Sequence, residues 1–383
     1  MKIKEVKAVR LEVPPPTSRT PARRQSWQET FVQATPMSKY PDKRGYGPRG
    51  WGTVGVKVTA EDGTWGLGTT AHGRPVAAIV DDHFAPLLVG EDCLATERCW
   101  DLMNLASKHL GTTGLVSYAI SAVDLALWDL KGKLLGQPVY ALLGGPVREQ
   151  TPCYATGNDT DWQLELGFRA VKLARPYGPF HGEAGLAGTV ELIERTRKLI
   201  GDGVDLMLDC WQAYDVDYTV RLAERLRPYR LKWLEEYLVP EDLDGYVAVR
   251  ERLPWMTLAS GEHHYGPWPF FQMAARRCLD VFQADIHWVG GLTACVKIAH
   301  IAAGAGLSMI LHAGGNDQYG LHFTCATPNV PWAEFYLGTP PGVPLEEAKW
   351  PTQRSVPKDS YVAPASGPGF GLAVEEKWLA PYF

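Results

Sequence analysis

Runs of mostly apolar residues recur along the second half of the chain, and each run ends in a polar residue. The five terminal residues are Asp209, Glu235, Glu262, Asp285 and His312. Successive members lie 26, 27, 23 and 27 residues apart. One strand, one helix and two loops need about 25 to 30 residues, since eight such units fill a barrel of about 250 residues. The step therefore predicts a closed parallel barrel with its polar residues gathered at one mouth.

The chain before this region has a different pattern, in which strands precede helices. Residues 3–13, 53–59 and 64–68 read as strands, and the Asp62-Gly63 pair between the last two is a hairpin signal. A helix rich in Ala and Leu follows over residues 119–145, ended by Gly136 and Pro138. We predict an N-terminal α+β domain over 1–120, the barrel over 121–350, and a segment over 351–383 that packs back on the N-terminal domain.

The composition excludes several classes of partner. Of the 383 residues, 45% are hydrophobic and 21% are charged, and the net charge is −5, so no basic surface indicates a nucleic acid or an anionic membrane. No apolar run reaches the length of a membrane span, and charges interrupt the N-terminus where a signal peptide would be apolar. Seven cysteines form no CxxC pair, which favours reduced thiols over a zinc site. We expect a cytoplasmic protein.

A long insertion rich in Pro, Gly and Arg separates the first two predicted strands, from Pro14 to Gly52. Loops of this length are usually functional or mobile. Its arginines either are solvated or form a lid that binds an anionic substrate by bidentate contacts. They are Arg19, Arg23, Arg24, Arg44 and Arg49.

Three carboxylates end three successive runs: Asp209, Glu235 and Glu262. Unpaired carboxylates in one mouth repel one another, which raises their pKa values or requires a cation. Oxygen ligands favour Mg²⁺. A single carboxylate would more simply be explained as a helix cap or as the partner of an arginine. Three carboxylates at equivalent positions of successive runs favour the metal site. Adjacent residues leave two choices open, between Glu235 and Glu236 and between the two histidines after Glu262.

Asp285 and His312 end the next two runs and are suited to act as a pair. A carboxylate that accepts a hydrogen bond from one ring nitrogen fixes the histidine tautomer and raises the basicity of the other nitrogen. A lone histidine on an apolar strand is usually structural, but the aspartate one unit upstream favours a general base.

Together these residues carry a family resemblance. The chain resembles the mandelate racemase subgroup of the enolase superfamily, and within it the L-rhamnonate dehydratase branch. The matching motifs are Ser-Ala-Val-Asp-Leu-Ala-Leu-Trp-Asp-Leu-Lys-Gly-Lys within 119–145, Ala-Thr-Pro-Met-Ser-Lys-Tyr-Pro at 34–41, Leu-Met-Leu-Asp-Cys-Trp at 206–211, Leu-Lys-Trp-Leu-Glu-Glu at 231–236, Ser-Gly-Glu-His-His at 260–264 and Trp-Val-Gly-Gly-Leu-Thr at 288–293.

The resemblance implies a modified (β/α)8 TIM barrel under an N-terminal α+β capping domain completed by the C-terminal segment. It implies Mg²⁺ held by Asp209, Glu235 and Glu262, which selects Glu235 over Glu236. It also implies His312 as base, Asp285 as its partner, and Glu334 as a hydrogen-bond partner of the substrate carboxylate, with the positive charge of Lys172 nearby. We expect Arg44, Arg49, His263 and Trp211 to contact a sugar acid substrate. Such enzymes are commonly homo-oligomers, dimers or octamers.

One departure from the subgroup pattern narrows the reaction. Many members carry Lys-x-Lys on the second barrel strand, where the second lysine is a base, but this chain has Lys172-Leu173-Ala174. A base on one side only favours dehydration of an aldonate to a 2-keto-3-deoxy acid over racemisation. Three alternatives stay open: an epimerase or racemase on the same scaffold, a barrel glycosidase that uses two carboxylates, and a non-catalytic barrel.

Overall fold

The computed structural model describes residues 1–14, 20–43, 51–348 and 354–383. Two sheets organise these residues: a four-stranded antiparallel sheet, and a curled sheet of eight parallel strands that carries one short antiparallel strand. Within these ranges we find no helix with both the length and the apolar character that a membrane span requires.

Thirteen strands are assigned in the described ranges. They are β1 (Ile3–Leu11), β2 (Thr53–Ala60), β3 (Trp65–Ala71), β4 (Thr151–Thr156), β5 (Ala170–Ala174), β6 (Asp205–Asp209), β7 (Leu234–Glu235), β8 (Leu258–Ser260), β9 (Val281–Phe282), β10 (Ser308–Met309), β11 (Ala333–Tyr336), β12 (Tyr361–Val362) and β13 (Leu379–Pro381).

The α-helices of the same ranges vary from one turn to about six. They are α1 (Trp27–Thr30), α2 (Gly73–Ala78), α3 (Ala85–Leu88), α4 (Thr96–Ala106), α5 (Leu115–Leu135), α6 (Val139–Leu142), α7 (Thr160–Glu165), α8 (Gly182–Ile200), α9 (Val216–Leu226), α10 (Leu243–Arg252), α11 (Pro267–Arg276), α12 (Gly291–Gly304) and α13 (Gln318–Ala326).

The antiparallel sheet forms the N-terminal domain and has the strand order β13-β1-β2-β3. The β2–β3 hairpin turns at Asp62-Gly63, as the sequence predicts. Strand β13 pairs with β1, which confirms that the end of the chain completes this sheet. Strand β12 instead pairs with β4 of the parallel sheet, so one part of the C-terminal segment lies against the barrel.

The parallel sheet has the order β10-β9-β8-β7-β6-β5-β4-β11 and confirms the predicted alternation of strands and helices. The backbone N–H of Gly315, after β10, donates to the carbonyl of Glu334 in β11 at 2.7 Å, which links the two ends of the ladder. Because the strands are parallel, all their carboxyl ends meet at one mouth. The polar residues that end the successive apolar runs lie there.

Helix α5 joins the two sheets and ends at Gly136, whose φ of 63° favours glycine. Its buried Asp129 accepts hydrogen bonds from the backbone N–H groups of Leu67 in β3 and of Phe370. Its buried Asp124 accepts from the N–H and the hydroxyl of Thr293, in the first turn of α12. These two acidic residues of the family motif therefore fasten the N-terminal domain to the barrel. The predicted domain boundary at residue 120 falls within this helix and stays a prediction.

Candidate active site

Strands β6, β7 and β8 deliver three carboxylates to the mouth of the barrel. Asp209 and Glu235 are register partners at the ends of β6 and β7. Glu262 follows β8 by two residues. Their side chains lie in the protein interior, and the exposed fractions of the three residues are 6%, 1% and 3%. The structure thus brings together the three residues that the sequence predicts as metal ligands.

Lys172 on β5 occupies the floor of this site and is fully buried. Its ammonium group forms ion pairs with Glu235 and, at 2.6 Å, with Glu334 at the end strand of the barrel. The other carboxylate oxygen of Glu235 accepts hydrogen bonds from Trp233 Nε1 and Gln283 Nε2, each at 2.8 Å. Burial lowers the pKa of Lys172, but the two carboxylates outweigh burial and raise it well above its ordinary value. Lys172 therefore stays protonated.

Glu236 also reaches the mouth, which the alternation of a strand does not predict. Strand β7 ends at Glu235, and Glu236 has a φ of 46°, so the two side chains need not point to opposite faces. One oxygen of Glu236 lies 2.6 Å from His263 Nδ1, while the other is buried with no hydrogen-bond partner among the described residues. Ligand atoms of Glu236, Glu262 and His263 all lie within 4.8 Å of one another.

The carboxylates of the mouth carry more negative charge than nearby side chains neutralise. Burial, together with Asp209 and Glu334, raises the pKa of Glu235 to about 7, although Lys172 opposes this shift. Burial and the charges of Glu236 and Asp209 raise the pKa of Glu262 well above its ordinary value. A buried set of oxygen donors with unbalanced charge and one unpartnered oxygen fits a hard divalent cation such as Mg²⁺.

His312 and Asp285 form the expected pair. The Nδ1 atom of His312 lies 2.6 Å from an Asp285 oxygen and donates to it, which leaves Nε2 to face the mouth. The indole ring of Trp288 covers the imidazole at a centroid distance of 4.9 Å. Burial lowers the pKa of His312, but Glu262 and Asp285 outweigh burial and raise it well above its ordinary value. A cation at Glu262 would offset part of that charge.

Glu334 lies on β11, close to His312, and is fully buried. One of its oxygens accepts from the hydroxyl of Thr156, and the other accepts from the backbone N–H of Ala313 at 2.9 Å. Burial raises the pKa of Glu334, but the charges of Lys172 and His312 outweigh burial and lower it. Glu334 is therefore ionised next to the general base candidate.

The expected substrate contacts have different outcomes. Trp211 and His263 lie at the mouth with their rings 6.2 Å apart, and each is partly exposed. His264 is buried between Tyr246 and Phe270, and burial lowers its pKa to about 4, so its role is structural. Arg44 and Arg49 lie outside the described residues, and so does Arg19. Contacts of Arg44, Arg49, His263 and Trp211 with substrate stay predictions.

The described part of the insertion lies against the mouth, but its arginines face acidic residues of the barrel. Arg24 pairs with Asp159 and Asp161, and Arg23 pairs with Glu165. These two arginines are thus engaged within the protein. The backbone N–H of Ala34 donates to the carbonyl of Arg175 at 3.1 Å, which holds the insertion over the loop after β5.

Sequence reasoning missed three groups that shape the site. Tyr336 places its hydroxyl 3.2 Å from His312 Nε2, and Gln283 and Trp233 hold Glu235. A signal existed for Tyr336, because it follows Glu334 by two residues and strand residues two apart share a face. A signal existed also for Trp233, which precedes Glu235 by two.

Comparisons with known proteins agree with this geometry. Residues 31–144 match the family model described as mandelate racemase / muconate lactonizing enzyme, N-terminal domain, and residues 160–378 match the model described as enolase C-terminal domain-like. The chain belongs to the enolase superfamily. The expected resemblance is thereby confirmed, and so is the architecture of a modified TIM barrel with an N-terminal capping domain.

Within the enolase superfamily, the chain is similar to proteins named as rhamnonate dehydratases. An L-rhamnonate dehydratase from Saccharopolyspora erythraea is 40% identical over 365 residues, which cover 93% of each chain. The crystal structure of rhamnonate dehydratase from Gibberella zeae complexed with Mg has a TM-score of 0.90 at 31% identity and covers 100% of this chain and 96% of that one. A racemase from Streptomyces coelicolor A3(2) with bound magnesium has a TM-score of 0.78 at 26% identity, with 98% of each chain covered.

Proposed function

We propose that this enolase superfamily chain is a magnesium-dependent dehydratase of an aldonate, similar to L-rhamnonate, and forms a 2-keto-3-deoxy sugar acid. The observation that carries the proposal is the His312–Asp285 pair, in which Asp285 holds Nδ1 and Nε2 faces a mouth lined by buried carboxylates. The relatives named L-rhamnonate dehydratase support the same reaction class.

The residues of the site divide the chemistry between them. Asp209, Glu235 and Glu262 would hold Mg²⁺, which when bound supplies positive charge toward the substrate carboxylate as it becomes an enediolate. The ammonium group of Lys172 adds positive charge on the floor of the site. His312 removes the proton at carbon 2 through Nε2, with Asp285 holding its tautomer and stabilising the imidazolium that forms.

Among the residues that the structure describes, the second barrel strand offers no base opposite His312, which favours elimination over racemisation. Ala174 is the register partner of Asp209 and contributes only a methyl group. The ammonium group of Lys172, two residues earlier, is engaged in ion pairs with Glu235 and Glu334 on the floor of the site. A racemisation that moves a proton between the two faces of the substrate carbon needs a second acid or base. Arg175, which follows Ala174, does not supply one, because its side chain is fully buried.

A panel of aldonates tests the proposal. The protein is incubated with L-rhamnonate and its stereoisomers, once with Mg²⁺ and once with EDTA, and the 2-keto acid formed is measured. We expect keto acid from at least one aldonate with Mg²⁺ and none with EDTA. Failure of every aldonate would sink the dehydratase proposal, and hydrolysis of a glycoside that survives EDTA would favour the glycosidase alternative.

Two further expectations accompany this proposal. We propose that the chain works in the cytoplasm, which its reduced cysteines support, since all seven are free and buried. The family resemblance supports a homo-oligomer, and this assembly stays a prediction.

A further inference from the structure

Tyr336 is the last residue of β11, and its side chain lies on the same face as that of Glu334. Its hydroxyl oxygen is 3.2 Å from Nε2 of His312, and the two rings meet edge to face at 5.8 Å. The other ring nitrogen, Nδ1, donates a hydrogen bond to Asp285. The tyrosine hydroxyl therefore touches the one atom of His312 that is free to take up a proton.

The backbone of Tyr336 is held from two sides, which fixes where the side chain starts. The N–H of Tyr336 donates to Oδ1 of Asn316 and its carbonyl accepts from Nδ2 of Asn316, both at 2.8 Å. Arg354 also donates to that carbonyl. Asn316 is buried in the loop that follows β10 and contains His312. One loop thus sets the position of both the histidine and the tyrosine.

A hydroxyl group can serve His312 in both of its protonation states, because it is donor and acceptor at once. When His312 is neutral, the Tyr336 hydroxyl donates to the lone pair of Nε2. When His312 is protonated, Nε2–H donates to the hydroxyl oxygen, and the hydroxyl hydrogen becomes free to point elsewhere. This reversal is the condition for passing a proton from the imidazolium to a third group.

We propose that Tyr336 is a catalytic residue that relays the proton from His312 to the hydroxyl leaving carbon 3, an inference that rests on the proposed dehydration. The Tyr336 hydroxyl first turns its hydrogen toward the oxygen on carbon 3, which frees the lone pair of Nε2, and His312 then takes the carbon 2 proton. The imidazolium then gives a proton to the Tyr336 oxygen while Tyr336 gives its own to the leaving oxygen. The carbon 3–oxygen bond breaks with its electron pair on oxygen, the enediolate electrons form the carbon 2–carbon 3 double bond, and water departs. Both side chains return to their starting states.

The other neighbour of Nε2 is less suited to this task. A Glu262 oxygen lies 3.6 Å from Nε2, beyond ordinary hydrogen-bond distance, and Glu262 is a proposed metal ligand. The tyrosine hydroxyl extends the reach of the imidazolium by about one hydrogen-bond length, or roughly 3 Å. His312 therefore does not have to contact both the carbon 2 proton and the leaving oxygen in one substrate pose.

The test is Tyr336→Phe, which removes one oxygen atom and keeps the ring. Wild type and variant are incubated in D₂O with Mg²⁺ and the aldonate that wild type dehydrates fastest. Keto acid and the deuterium at carbon 2 of recovered substrate are both measured. We expect dehydration to fall about 10²-fold, within the range that a positioned proton donor contributes. Deuterium exchange at carbon 2 should continue, so exchange per product formed rises, because His312 still removes the proton.

Tyr361→Phe is the matched control, since Tyr361 is exposed on β12, and it should leave both rates unchanged. An equal loss of exchange and dehydration in Tyr336→Phe would overturn the relay and assign Tyr336 to positioning His312. Unchanged dehydration, or a change in KM alone, would overturn it as well. If wild type forms no keto acid from any aldonate, the proposed dehydration fails first and removes the basis of the relay.

Discussion

The two ring nitrogens of His312 have different partners, and they therefore have different roles in the proposed dehydration: Nδ1 fixes the tautomer and Nε2 acts as the base. Asp285 holds Nδ1 at 2.6 Å, while Nε2 faces the carboxylates and Tyr336. A base held in this way loses its function when the ring is removed, whereas the surrounding fold depends on many other contacts. Single replacements in the mouth can therefore separate catalysis from folding.

Replacing His312 by Asn should lower kcat by about 10² to 10⁴-fold, which is the usual contribution of a positioned general base. Deuterium exchange at carbon 2 should vanish together with dehydration, in contrast to Tyr336→Phe. His300→Asn is the matched control, because His300 is exposed on α12. Turnover that survives in His312→Asn would instead support another base or a non-catalytic role for this site.

Metal binding is testable without any activity. A bound cation should stabilise buried carboxylates that repel one another. Mg²⁺ should therefore raise the free energy of unfolding, by about 2.7 kcal/mol when its concentration is a hundredfold above Kd. Asp209→Asn should weaken this response. Asp205→Asn, at the other end of β6 and paired with Lys232, should retain it. An equal response of Asp209→Asn and wild type in thermal unfolding would remove Asp209 from the ligand set.

At the scale of elements, β3 packs on α5 at a distance that only glycine allows. A Cβ atom at Gly68 would lie 1.9 Å from the carbonyl oxygen of Ala122, and one at Gly66 would lie 2.1 Å from that of Ala126. Both obstacles are helix backbone, which cannot move aside as a side chain can. The capping sheet and the helix that fastens it to the barrel therefore depend on these two glycines.

Gly68→Ala should lower the free energy of unfolding by about 1 to 3 kcal/mol or more, the usual cost of overpacking a core. Gly203→Ala is the control, because a Cβ there meets nothing within 4 Å and its φ is not in the left-handed region. Denaturant unfolding measures both variants. Equal stability of Gly68→Ala and Gly203→Ala would contradict the close approach of β3 to α5.

The sequence allowed the regular elements to be predicted better than the irregular ones. The barrel strands that end at Asp209 and Glu235 follow from apolar runs and a constant step, because parallel strands must be buried on both faces. The left-handed turn at Glu236 has no such signal, and it decides that two adjacent carboxylates share the mouth. Asp124 and Asp129 belong to a motif of the sequence, but their role as hydrogen-bond acceptors emerges only when α5 packs against β3 and α12. Local sequence patterns predict individual helices and strands, whereas these hydrogen bonds depend on how the helices and strands pack against one another.

At the scale of the whole molecule, His287 joins the capping domain to the barrel. Its Nδ1 lies 2.7 Å from the carbonyl of Thr69 in β3, and its Nε2 lies 2.6 Å from Asp317 at the start of α13. Both partners accept hydrogen bonds, so both ring nitrogens donate and the ring is charged. Burial lowers the pKa of His287, but Asp317 and Asp285 outweigh burial and raise it to about 9.

This raised pKa predicts a stability difference that depends on pH. Because the pKa of folded His287 exceeds the unfolded value of about 6.5, its contribution is complete below that pH and is lost as the pH rises through about 9. His287→Gln should lower the free energy of unfolding by about 3 kcal/mol at low pH, since a tenfold change in proton affinity on folding corresponds to about 1.4 kcal/mol. Urea unfolding at pH 6 and pH 9.5 measures this difference. A loss of stability that is equal at the two pH values would show that the ring is not charged in the folded protein.

We propose that this molecule removes a carbon 2 proton with His312 and then eliminates water. Proton NMR in D₂O, with Mg²⁺ and a panel of aldonates that includes L-rhamnonate, follows both events in one sample. We predict that the signal of the carbon 2 proton disappears as a 2-keto-3-deoxy acid accumulates, and that neither change occurs with His312→Asn. Deuterated substrate of inverted configuration without keto acid, or no change in any aldonate, would contradict the account.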